Sequence, residues 1–437
     1  MRLFYLTLIF YSFNLFSSEK NQSITQDNFF DKDAAEQREI FINQFKKILP
    51  SGTNQINKLE LIKKDKIKTV ESLLIKSLES ISNGELDQAI NTIDELIILV
   101  PNFKLAHLIR GDILTAYSMS IKNFGGSAIK LDSEKVIGLQ KEAKRRIKGY
   151  LSSHIKYLQP KFNIVPSKND KYLLYVDMDS SRLFVFENNK EGYNYLSDHY
   201  ISIGKNGYGK RYEGDKRTPF GTYFIQNKIE RDLSDFYGDG AYPINYPNKY
   251  DKLKKFTGSG IWIHGTPRTT FSRVPEASDG CIVLSNIDLV QIKDILETPG
   301  TPVILSNLSI AKLNLRSEEE IKKEQEKLLS HIKNWQESWE NKDFSKYITF
   351  YSDKAKYNKS NYKEWTHNKK NVFKKSKNIN ISLSDISIYE YPSENDQLRI
   401  VLFEQDYKSD LLLNKIRKKQ IWKKNNNEWK ILYEGTQ

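Results

Sequence analysis

The stretch GIWIHGTPRTTFSRVPEASDGCIVLSNIDL, from Gly260 to Leu289, contains the only cysteine of the 437-residue chain, Cys281. The alternating apolar residues at its start predict a strand that ends at His264, and Ser-Asp-Gly before the cysteine predicts a tight turn. The histidine precedes the cysteine by seventeen residues. An imidazole within hydrogen-bond reach of a thiol lowers the pKa of that thiol or takes its proton, so the two residues form a candidate nucleophile and base.

The first residues, MRLFYLTLIFYSFNLFSSEKNQ, have the composition of a secretory signal, with Arg2 followed by an apolar run to about Phe16. That run is short for a helix that spans a bilayer. We therefore expect residues 1–18 to be a signal peptide or, if uncleaved, a membrane anchor. In both cases the rest of the chain is expected to be exported, with a membrane contact only in the uncleaved case.

A lone cysteine in an oxidising compartment has three interpretations: an intermolecular disulfide, an inert buried thiol or a reactive nucleophile. The spacing alone leaves the inert thiol and the nucleophile open. The glycine before the cysteine, Gly280, permits a turn in which backbone N–H groups around Gly280 and Cys281 point at a developing oxyanion. A helix predicted from Asn286 to Glu297, with Asn286 as its cap, would add a favourable dipole near the thiol.

Charge and histidine spacing exclude several other functions. The net charge of +13 comes from 68 basic and 55 acidic residues that are mixed along the chain, without the basic stripe of a nucleic-acid-binding protein. This charge predicts affinity for a polyanion or a carboxylate-rich surface, or reflects a Lys/Asn-rich composition. The remaining histidines have no metal-ligand spacing, so we expect no metal and no cofactor; they are His107, His154, His199, His331 and His367.

Three regions of different periodicity predict a multidomain chain. Residues 40–158 have apolar residues three and four positions apart, which predicts an all-α region. The positions of Gly84, Ala89, Pro101 and Gly111 match a tetratricopeptide repeat, although an unrelated helical bundle fits nearly as well. Residues 170–307 have a period of two and predict a mostly-β domain. Residues 317–437 begin with amphipathic helices and continue with strands, which predicts an α+β domain.

Four motifs in the central region resemble the L,D-transpeptidase (YkuD-type) family. WIHGT followed by SDGCIVLSNIDL is similar to its catalytic signature, in which a histidine precedes a Ser/Thr-x-Gly-Cys turn by fourteen to eighteen residues. Upstream, GKRYEGDKRTPFGTYFI resembles the Gly-Lys and Thr-Pro-x-Gly elements of the family, and AYPINYPNKYD resembles a loop of its Gram-negative members. The match runs from about Tyr172 to Ser306.

The resemblance implies a reaction and a set of roles. The family's substrate is a peptidoglycan stem tetrapeptide: the thiolate attacks the carbonyl of the third residue and expels the terminal D-Ala, and an amine or water then resolves the acyl-enzyme. The implied residues are Cys281 as nucleophile, His264 as base, the Gly265 carbonyl as orienting partner of the imidazole, and Ser278, Asp279 and Gly280 as the oxyanion turn.

The sequence departs from the family at two positions. Many relatives carry His where Asp279 stands, and many carry Arg or Asn where Val283 stands, so the usual contact to a substrate carboxylate is in question. Arg273 would supply that contact from the adjoining loop, or it is a rim arginine paired with a surface acid. Tyr246 and Asn248 are expected either to line the cleft or to pack the lid.

The C-terminal region, with WQESWENKDFSKYITFYS, YKEW and FEQDYKSD, resembles the nuclear-transport-factor-like (SnoaL-like) domain appended to one branch of these enzymes. That branch includes L,D-carboxypeptidases that set helical cell shape. We expect the domain to be an α+β cone that binds a ligand or mediates homodimerisation, with its aromatic residues in the core.

These observations predict an L,D-transpeptidase that remodels peptidoglycan, located in the periplasm of a Gram-negative-type bacterium. An L,D-carboxypeptidase is the first alternative, and a wall-binding scaffold without catalysis is the second. The expected partners are peptidoglycan stem peptides and, for acyl transfer, a wall-anchored acceptor protein, with no nucleic acid. An uncleaved signal would anchor the protein to the inner membrane.

Overall fold

The computed structural model describes residues 39, 42–43, 70–118, 124–128, 133–151, 161–189, 192–356, 362–393, 396–425 and 428–437. The expected signal segment, residues 1–18, lies outside the described residues, as does most of 40–69. The chain forms N-terminal helices, a mostly-β central domain and a C-terminal α+β domain, as the periodicity predicts. Of the helices described, none combines the length and the apolar character that a membrane span requires.

The N-terminal domain is built from helices, and its described members are α1 (Val70–Ser82), α2 (Leu86–Leu99), α3 (Lys104–Ala116) and α4 (Ser133–Leu151). Apolar side chains three and four positions apart form one face, and Leu74, Leu78 and Ile81 of α1 are buried between the helices. Gly84 reverses the chain between α1 and α2 at a φ of 82°, which favours glycine. Helical hairpins of this kind also occur in other bundles, so the tetratricopeptide repeat stays a prediction.

The central domain contains a five-stranded sheet in the order β3-β2-β1-β10-β5, a second sheet in the order β6-β7-β9, and the pair β4-β8. The strands are β1 (Tyr172–Asp177), β2 (Arg182–Asn189), β3 (Gly192–Tyr200), β4 (Ile203–Gly204), β5 (Gly221–Phe224), β6 (Ala241–Pro243), β7 (Trp262–His264), β8 (Glu276–Ser278), β9 (Ile282–Val283) and β10 (Pro302–Ser306). β1 and β2 form the predicted hairpin, in which Ser181 has a φ of 55°.

The helix predicted after the cysteine is divided into two short helices. α5 (Lys249–Leu253) precedes β7, and α6 (Asn286–Gln291) and α7 (Lys293–Leu296) follow β9. The cap of α6 is Ser285, whose side chain accepts a hydrogen bond from the Asp288 N–H. The predicted cap, Asn286, was therefore wrong by one residue. The amide of Asn286 instead contacts Asp239 and Thr266 near the candidate site.

In the C-terminal domain, helices pack over one mostly antiparallel sheet with the strand order β11-β15-β14-β13-β12. Its elements are α8 (Ile310–Asn314), α9 (Glu318–Glu340), α10 (Phe344–Thr349), β11 (Tyr351–Lys356), α11 (Tyr362–Lys375), β12 (Ile379–Tyr391), β13 (Gln397–Ser409), β14 (Leu413–Asn425) and β15 (Glu428–Thr436). Trp335 and Trp339 of α9 are buried against Tyr347 in its core. The expectation that these aromatic residues are core is therefore confirmed.

Candidate active site

Two adjacent parallel strands bring the candidate nucleophile and base together. The register of β7 and β9 pairs Ile263 with Ile282 and His264 with Val283. Side chains two positions apart on a strand share a face, so Cys281, immediately before β9, lies on the same face as His264. Strand spacing and rise place the two Cα atoms about 8 Å apart. The isoleucines point to the opposite face, where both are fully buried in the core.

The imidazole of His264 is buried and held in one orientation. Its Nδ1 lies 2.7 Å from the carbonyl oxygen of Gly265, the contact that the resemblance implies. A carbonyl oxygen only accepts, so Nδ1 carries the proton and Nε2 remains able to accept one. Burial lowers the pKa of His264 to about 4, against the opposing effect of the hydrogen bond to Gly265. At neutral pH this side chain is therefore an uncharged base.

The Cys281 thiol is also neutral at rest. Burial raises the pKa of the thiol above its ordinary value, and this effect outweighs the backbone N–H of Trp262 and the positive charge of Arg273, which favour the thiolate. The Sγ atom lies 3.5 Å from the carbonyl oxygen of Gly260, to which it donates a weak hydrogen bond. The site thus holds a thiol and an imidazole, and attack on a substrate requires proton transfer between them.

The turn before the cysteine is fixed by its own side chains. Gly280 has a φ of 125°, and a Cβ there would lie 2.8 Å from the Arg217 carbonyl oxygen, so glycine is required. Ser278 Oγ donates to the Cys281 carbonyl oxygen at 2.6 Å and accepts the Gly280 N–H at 3.1 Å. In the free site the Gly280 N–H is therefore hydrogen-bonded to Ser278, and the oxyanion role of the turn stays a prediction. Asp279 is exposed and pairs with Lys205 at 3.2 Å.

Residues of the upstream motif GKRYEGDKRTPFGTYFI contact this turn. Thr218 Oγ1 donates to the Gly280 carbonyl oxygen at 3.0 Å and accepts the Gly204 N–H at 2.9 Å. Lys210 is buried with its Nζ 2.8 Å from Asp215 Oδ1, and its positive charge favours the Cys281 thiolate. The Thr-Pro element is thus hydrogen-bonded to the residue before the nucleophile, and the Gly-Lys element acts on the nucleophile through the charge of Lys210.

Arg273 lies at the rim of the same site. Its Nη2 donates to the Phe236 carbonyl oxygen at 3.1 Å, and its guanidinium carbon is 4.2 Å from the centre of the Phe236 ring. Its charge lowers the pKa of both Cys281 and His264. Within the described part of the chain the guanidinium contacts a carbonyl and a ring, not a carboxylate of the surface. This arrangement favours the substrate-binding interpretation over the surface ion pair.

The side chains of Tyr246 and Asn248 make structural hydrogen bonds within the fold. The Tyr246 hydroxyl donates to the Thr257 carbonyl oxygen at 3.0 Å, and the side chain is buried. Asn248 is the cap of α5, and its Nδ2 donates to the Thr222 carbonyl oxygen and to the Tyr391 hydroxyl. These contacts favour the expectation that the two residues are used in packing over the expectation that they line the cleft. Asparagine is a frequent helix cap, and here Oδ1 of Asn248 accepts the N–H groups of the first turn of α5 while Nδ2 makes the two other contacts.

An aromatic wall beside the histidine was not predicted. The ring centres of Tyr237 and Phe236 lie 5.2 Å and 6.0 Å from that of His264, and Tyr237 also packs against Trp262 at 5.0 Å. The Tyr237 carbonyl oxygen accepts the Gly265 N–H at 3.0 Å. The sequence signal was the pair Phe-Tyr before Gly-Asp-Gly, since aromatic residues in a glycine-rich loop are candidates for a cleft wall.

Asn286 braces the end of β7. Its Oδ1 accepts the N–H groups of Asp239 and Thr266, each at 3.2 Å, and its Nδ2 donates to the Thr266 carbonyl oxygen at 2.8 Å. A Cβ on Gly265 would overlap this amide, so the close approach requires glycine. The residue expected to cap a helix therefore holds the backbone that orients the histidine. Among the described residues, no group of His, Cys, Asp or Glu is arranged to hold a metal ion.

Comparison with known proteins identifies both downstream domains. Residues 171–305 match the model of the L,D-transpeptidase catalytic domain (YkuD), and residues 327–435 match that of the Cds6 C-terminal NTF2-like domain. The structure of Bd1075 from Bdellovibrio bacteriovorus is 31% identical and superposes with a TM-score of 0.55, covering 64% of this chain and 98% of that chain. No curated protein matches the chain.

A second solved structure is the helical cell shape determining protein Pgp2 from Campylobacter jejuni. It is 26% identical, with a TM-score of 0.53, and covers 63% of this chain and 95% of that chain. Fold, site and comparisons define a cell-wall enzyme class, and the chain belongs to the YkuD L,D-transpeptidase family of peptidoglycan-acting enzymes. Within that family it carries an NTF2-like C-terminal domain.

Proposed function

We propose that this protein removes the terminal D-Ala from peptidoglycan stem tetrapeptides through a thioester on Cys281. The observation that supports this most directly is the common face of Cys281 and His264 on adjacent strands, with Arg273 at the rim. An inert thiol has no need of a buried imidazole whose Nε2 is able to accept a proton. The family membership of the catalytic domain supplies the substrate class.

The neutral pair determines how each step proceeds. The Cys281 proton passes to Nε2 of His264 as sulfur bonds to the carbonyl carbon of the third stem residue. The bond from that carbon to the D-Ala nitrogen then breaks, and the imidazolium returns its proton to the departing amine. Next, His264 takes a proton from water, whose oxygen attacks the thioester and releases the thiol and the tripeptide. A positioned base of this kind contributes about 10²- to 10⁴-fold.

Arg273 is proposed to bind a carboxylate of the stem peptide. In this chain Val283 stands where many relatives carry arginine, and Val283 is buried. The planar guanidinium of Arg273 recognises carboxylates through paired hydrogen bonds. Its placement beside Cys281 would orient the peptide so that the third carbonyl meets the sulfur. The net charge of +13 would also draw the protein to the carboxylates of the wall.

Water is the acceptor that we favour, which makes the enzyme an L,D-carboxypeptidase with a role in cell shape. The supporting observation is the likeness to a helical cell shape determining protein, which extends over a length close to that of the catalytic and C-terminal domains together. Water needs only access to the thioester, whereas an amine needs a second shaped subsite. Transpeptidation, which the catalytic family favours, is the second candidate.

Product analysis separates these candidates. The purified protein is incubated with tetrapeptide muropeptides, with and without an excess of a D-amino acid, and the products are identified by mass spectrometry. We expect tripeptide and free D-Ala under both conditions. Exchange of D-Ala for the added amino acid, or cross-links between third residues, would establish transpeptidation. If the tetrapeptide is unchanged under both conditions, the protein is not a peptidase or a transpeptidase, and the wall-binding scaffold without catalysis is the alternative that is left.

The location and the protein partners are also proposals. We place the protein in the periplasm of a Gram-negative-type bacterium, because its substrate is there and because residues 1–18 have the composition of a signal. To test this, the first residues are fused to a reporter that is active only after export. A reporter that stays inactive in the cytoplasm would contradict the proposed location. A wall-anchored acceptor protein and a homodimer through the C-terminal domain stay predictions of the sequence.

A further inference from the structure

The segment that joins His264 to Cys281 is held by the N-terminal helical domain. We define it as the clamped loop, residues 267–275. The Phe271 ring inserts into the core of the helical domain, where it lies 4.7 Å from the Phe103 ring. Asn102 Nδ2 donates to the Arg268 carbonyl oxygen at 2.8 Å. The loop is therefore anchored in another domain at its middle, between the two catalytic candidates.

Helix α4 makes a second, polar contact. Ser272 Oγ donates to Glu142 Oε1 at 2.7 Å, and Glu142 also pairs with Arg146 at 2.9 Å. Glu142 and Arg146 are both nearly inaccessible to solvent. A buried carboxylate needs its hydrogen bonds, so this position of Ser272 is strongly favoured. Ser272 is the immediate neighbour of Arg273.

The helical domain also acts through Tyr200 of the catalytic domain. The Arg146 guanidinium carbon lies 3.9 Å from the centre of the Tyr200 ring, and the Tyr200 hydroxyl donates to the Arg273 carbonyl oxygen at 3.0 Å. A buried chain of ion pairs continues from Arg146 through Glu71 to Arg182 of β2. The backbone on both sides of the Arg273 side chain is thus fixed by α4 and its partners.

We propose that α4 is a positioning element of the active site, in which Glu142, through Ser272, holds Arg273 in place to bind the stem-peptide carboxylate beside Cys281. This inference rests on the proposed function and goes beyond it, because the helical domain would then set substrate affinity. Ser272 and Glu142 are positioning residues, since neither is expected to touch the substrate.

The test compares two serine hydroxyls that make the same kind of bond. Ser272 Oγ donates to Glu142 across the domain boundary, and Ser127 Oγ donates to Asp112 Oδ1 at 2.6 Å within the helical domain. Ser272→Ala is expected to lower kcat/KM for tetrapeptide about five- to twentyfold, mainly through KM. Ser272→Thr should restore most of the loss because it keeps a hydroxyl. Ser127→Ala should change kcat/KM less than about twofold.

A double-mutant cycle identifies the residue through which the effect passes. In an Arg273→Ala background, Ser272→Ala should lower kcat/KM by less than about twofold, because the group that it positions is absent. Equal losses in both backgrounds, or equal losses for Ser272→Ala and Ser127→Ala, would overturn the proposal.

A second measurement does not depend on turnover. Arg273 favours the thiolate, so Ser272→Ala should also slow alkylation of Cys281 by iodoacetamide at pH 8 by about two- to fivefold. If the wild-type protein cleaves no tetrapeptide, the proposed function fails, and this rate still tests the position of Arg273. An unchanged alkylation rate would contradict the positioning of Arg273 by α4.

Discussion

The two domains that flank the catalytic domain contact it at different places and through different chemistry. The helical domain meets the segment between His264 and Cys281 through the hydrogen bond from Ser272 to the buried Glu142 and through one inserted phenylalanine. The C-terminal domain meets β5 and α5 mainly through aromatic side chains, together with hydrogen bonds of Thr222, Asn248 and Tyr250. Directional polar contacts fix the position of a neighbouring group, whereas aromatic packing mainly contributes burial.

The C-terminal interface illustrates the second kind of contact. The Phe224 ring meets Tyr389 edge to face at 5.7 Å, and Tyr391 packs against Tyr250 at 5.2 Å. Thr222 Oγ1 donates to the Glu390 carbonyl oxygen at 2.6 Å. The four aromatic residues belong to one apolar cluster that spans both domains. We therefore expect this interface to determine stability and the helical-domain interface to determine the geometry of the site.

Removal of the Cys281 thiol is the substitution from which we expect the largest effect on activity. Cys281→Ala and Cys281→Ser should abolish turnover, because no alkoxide forms at neutral pH as readily as a thiolate. Both variants should keep the wild-type melting temperature within a few degrees, since neither leaves a large cavity. Mass analysis of muropeptides and thermal unfolding check this. More than about 1% residual activity in Cys281→Ser would exclude the cysteine as nucleophile.

Loss of the base should be the next largest effect. His264→Ala is expected to lower the rate of acylation by about 10²- to 10⁴-fold, because Nε2 no longer takes the thiol proton. His199 offers a matched control, since it is similarly buried and its Nδ1 pairs with Asp288 of α6. His199→Ala should reduce stability but change the rate less than about fivefold. Equal rate losses in the two variants would mean that His264 acts only in folding.

A substitution at the C-terminal interface should lower the stability of the protein and leave its activity nearly unchanged, unlike the substitutions at Cys281 and His264. Phe224→Ala is expected to lower the free energy of unfolding by about 3–5 kcal/mol, the range for a buried phenylalanine. Its kcat/KM per folded molecule should stay within about threefold of wild type. Denaturant unfolding and activity measured on the same preparation check both values. A loss of activity larger than that of Ser272→Ala would reverse the assignment of the two interfaces.

The parts of the site that the sequence predicts are those that depend on local patterns. Alternating residues predict the strand that ends at His264, and Ser-Asp-Gly predicts the turn at Cys281. Asn286 was assigned to the wrong contact because its partners, Asp239 and Thr266, lie in separate loops that only the folded chain brings near. The same holds for Ser272 and Glu142, which are 130 positions apart. Neither residue type signals such a contact, so the clamp on Arg273 could not be predicted.

The charge state of the free site predicts a steep pH dependence of thiol alkylation. Burial raises the pKa of the Cys281 thiol and lowers that of His264 to about 4, so neither group is charged between these values. Alkylation by iodoacetamide should therefore rise about tenfold per pH unit from pH 6 and continue to rise beyond about pH 8.5. A rate already constant from pH 5 upward would instead demonstrate a thiolate–imidazolium pair.

The smallest effect is expected on the exposed side of the cysteine turn. Asp279 raises the pKa of Cys281, and Lys205 offsets that charge from 3.2 Å away. Lys205→Ala leaves the carboxylate unpaired, so alkylation at pH 8 should slow by less than about threefold, as for other exposed ion pairs. Asp279→Asn is the matched variant with the opposite effect: it removes the negative charge that raises the pKa of Cys281, so it should speed alkylation by a similar factor.

Ionic strength distinguishes this surface pair from the buried clamp. Charges exposed to solvent are screened at about 1 M salt, where the Debye length is about 3 Å, so both variants should approach the wild-type rate there. The effect of Ser272→Ala should persist, because the Glu142 carboxylate that the serine contacts is buried. If high salt removes the Ser272→Ala effect as well, the helical domain acts on Cys281 through surface charge and not by holding Arg273.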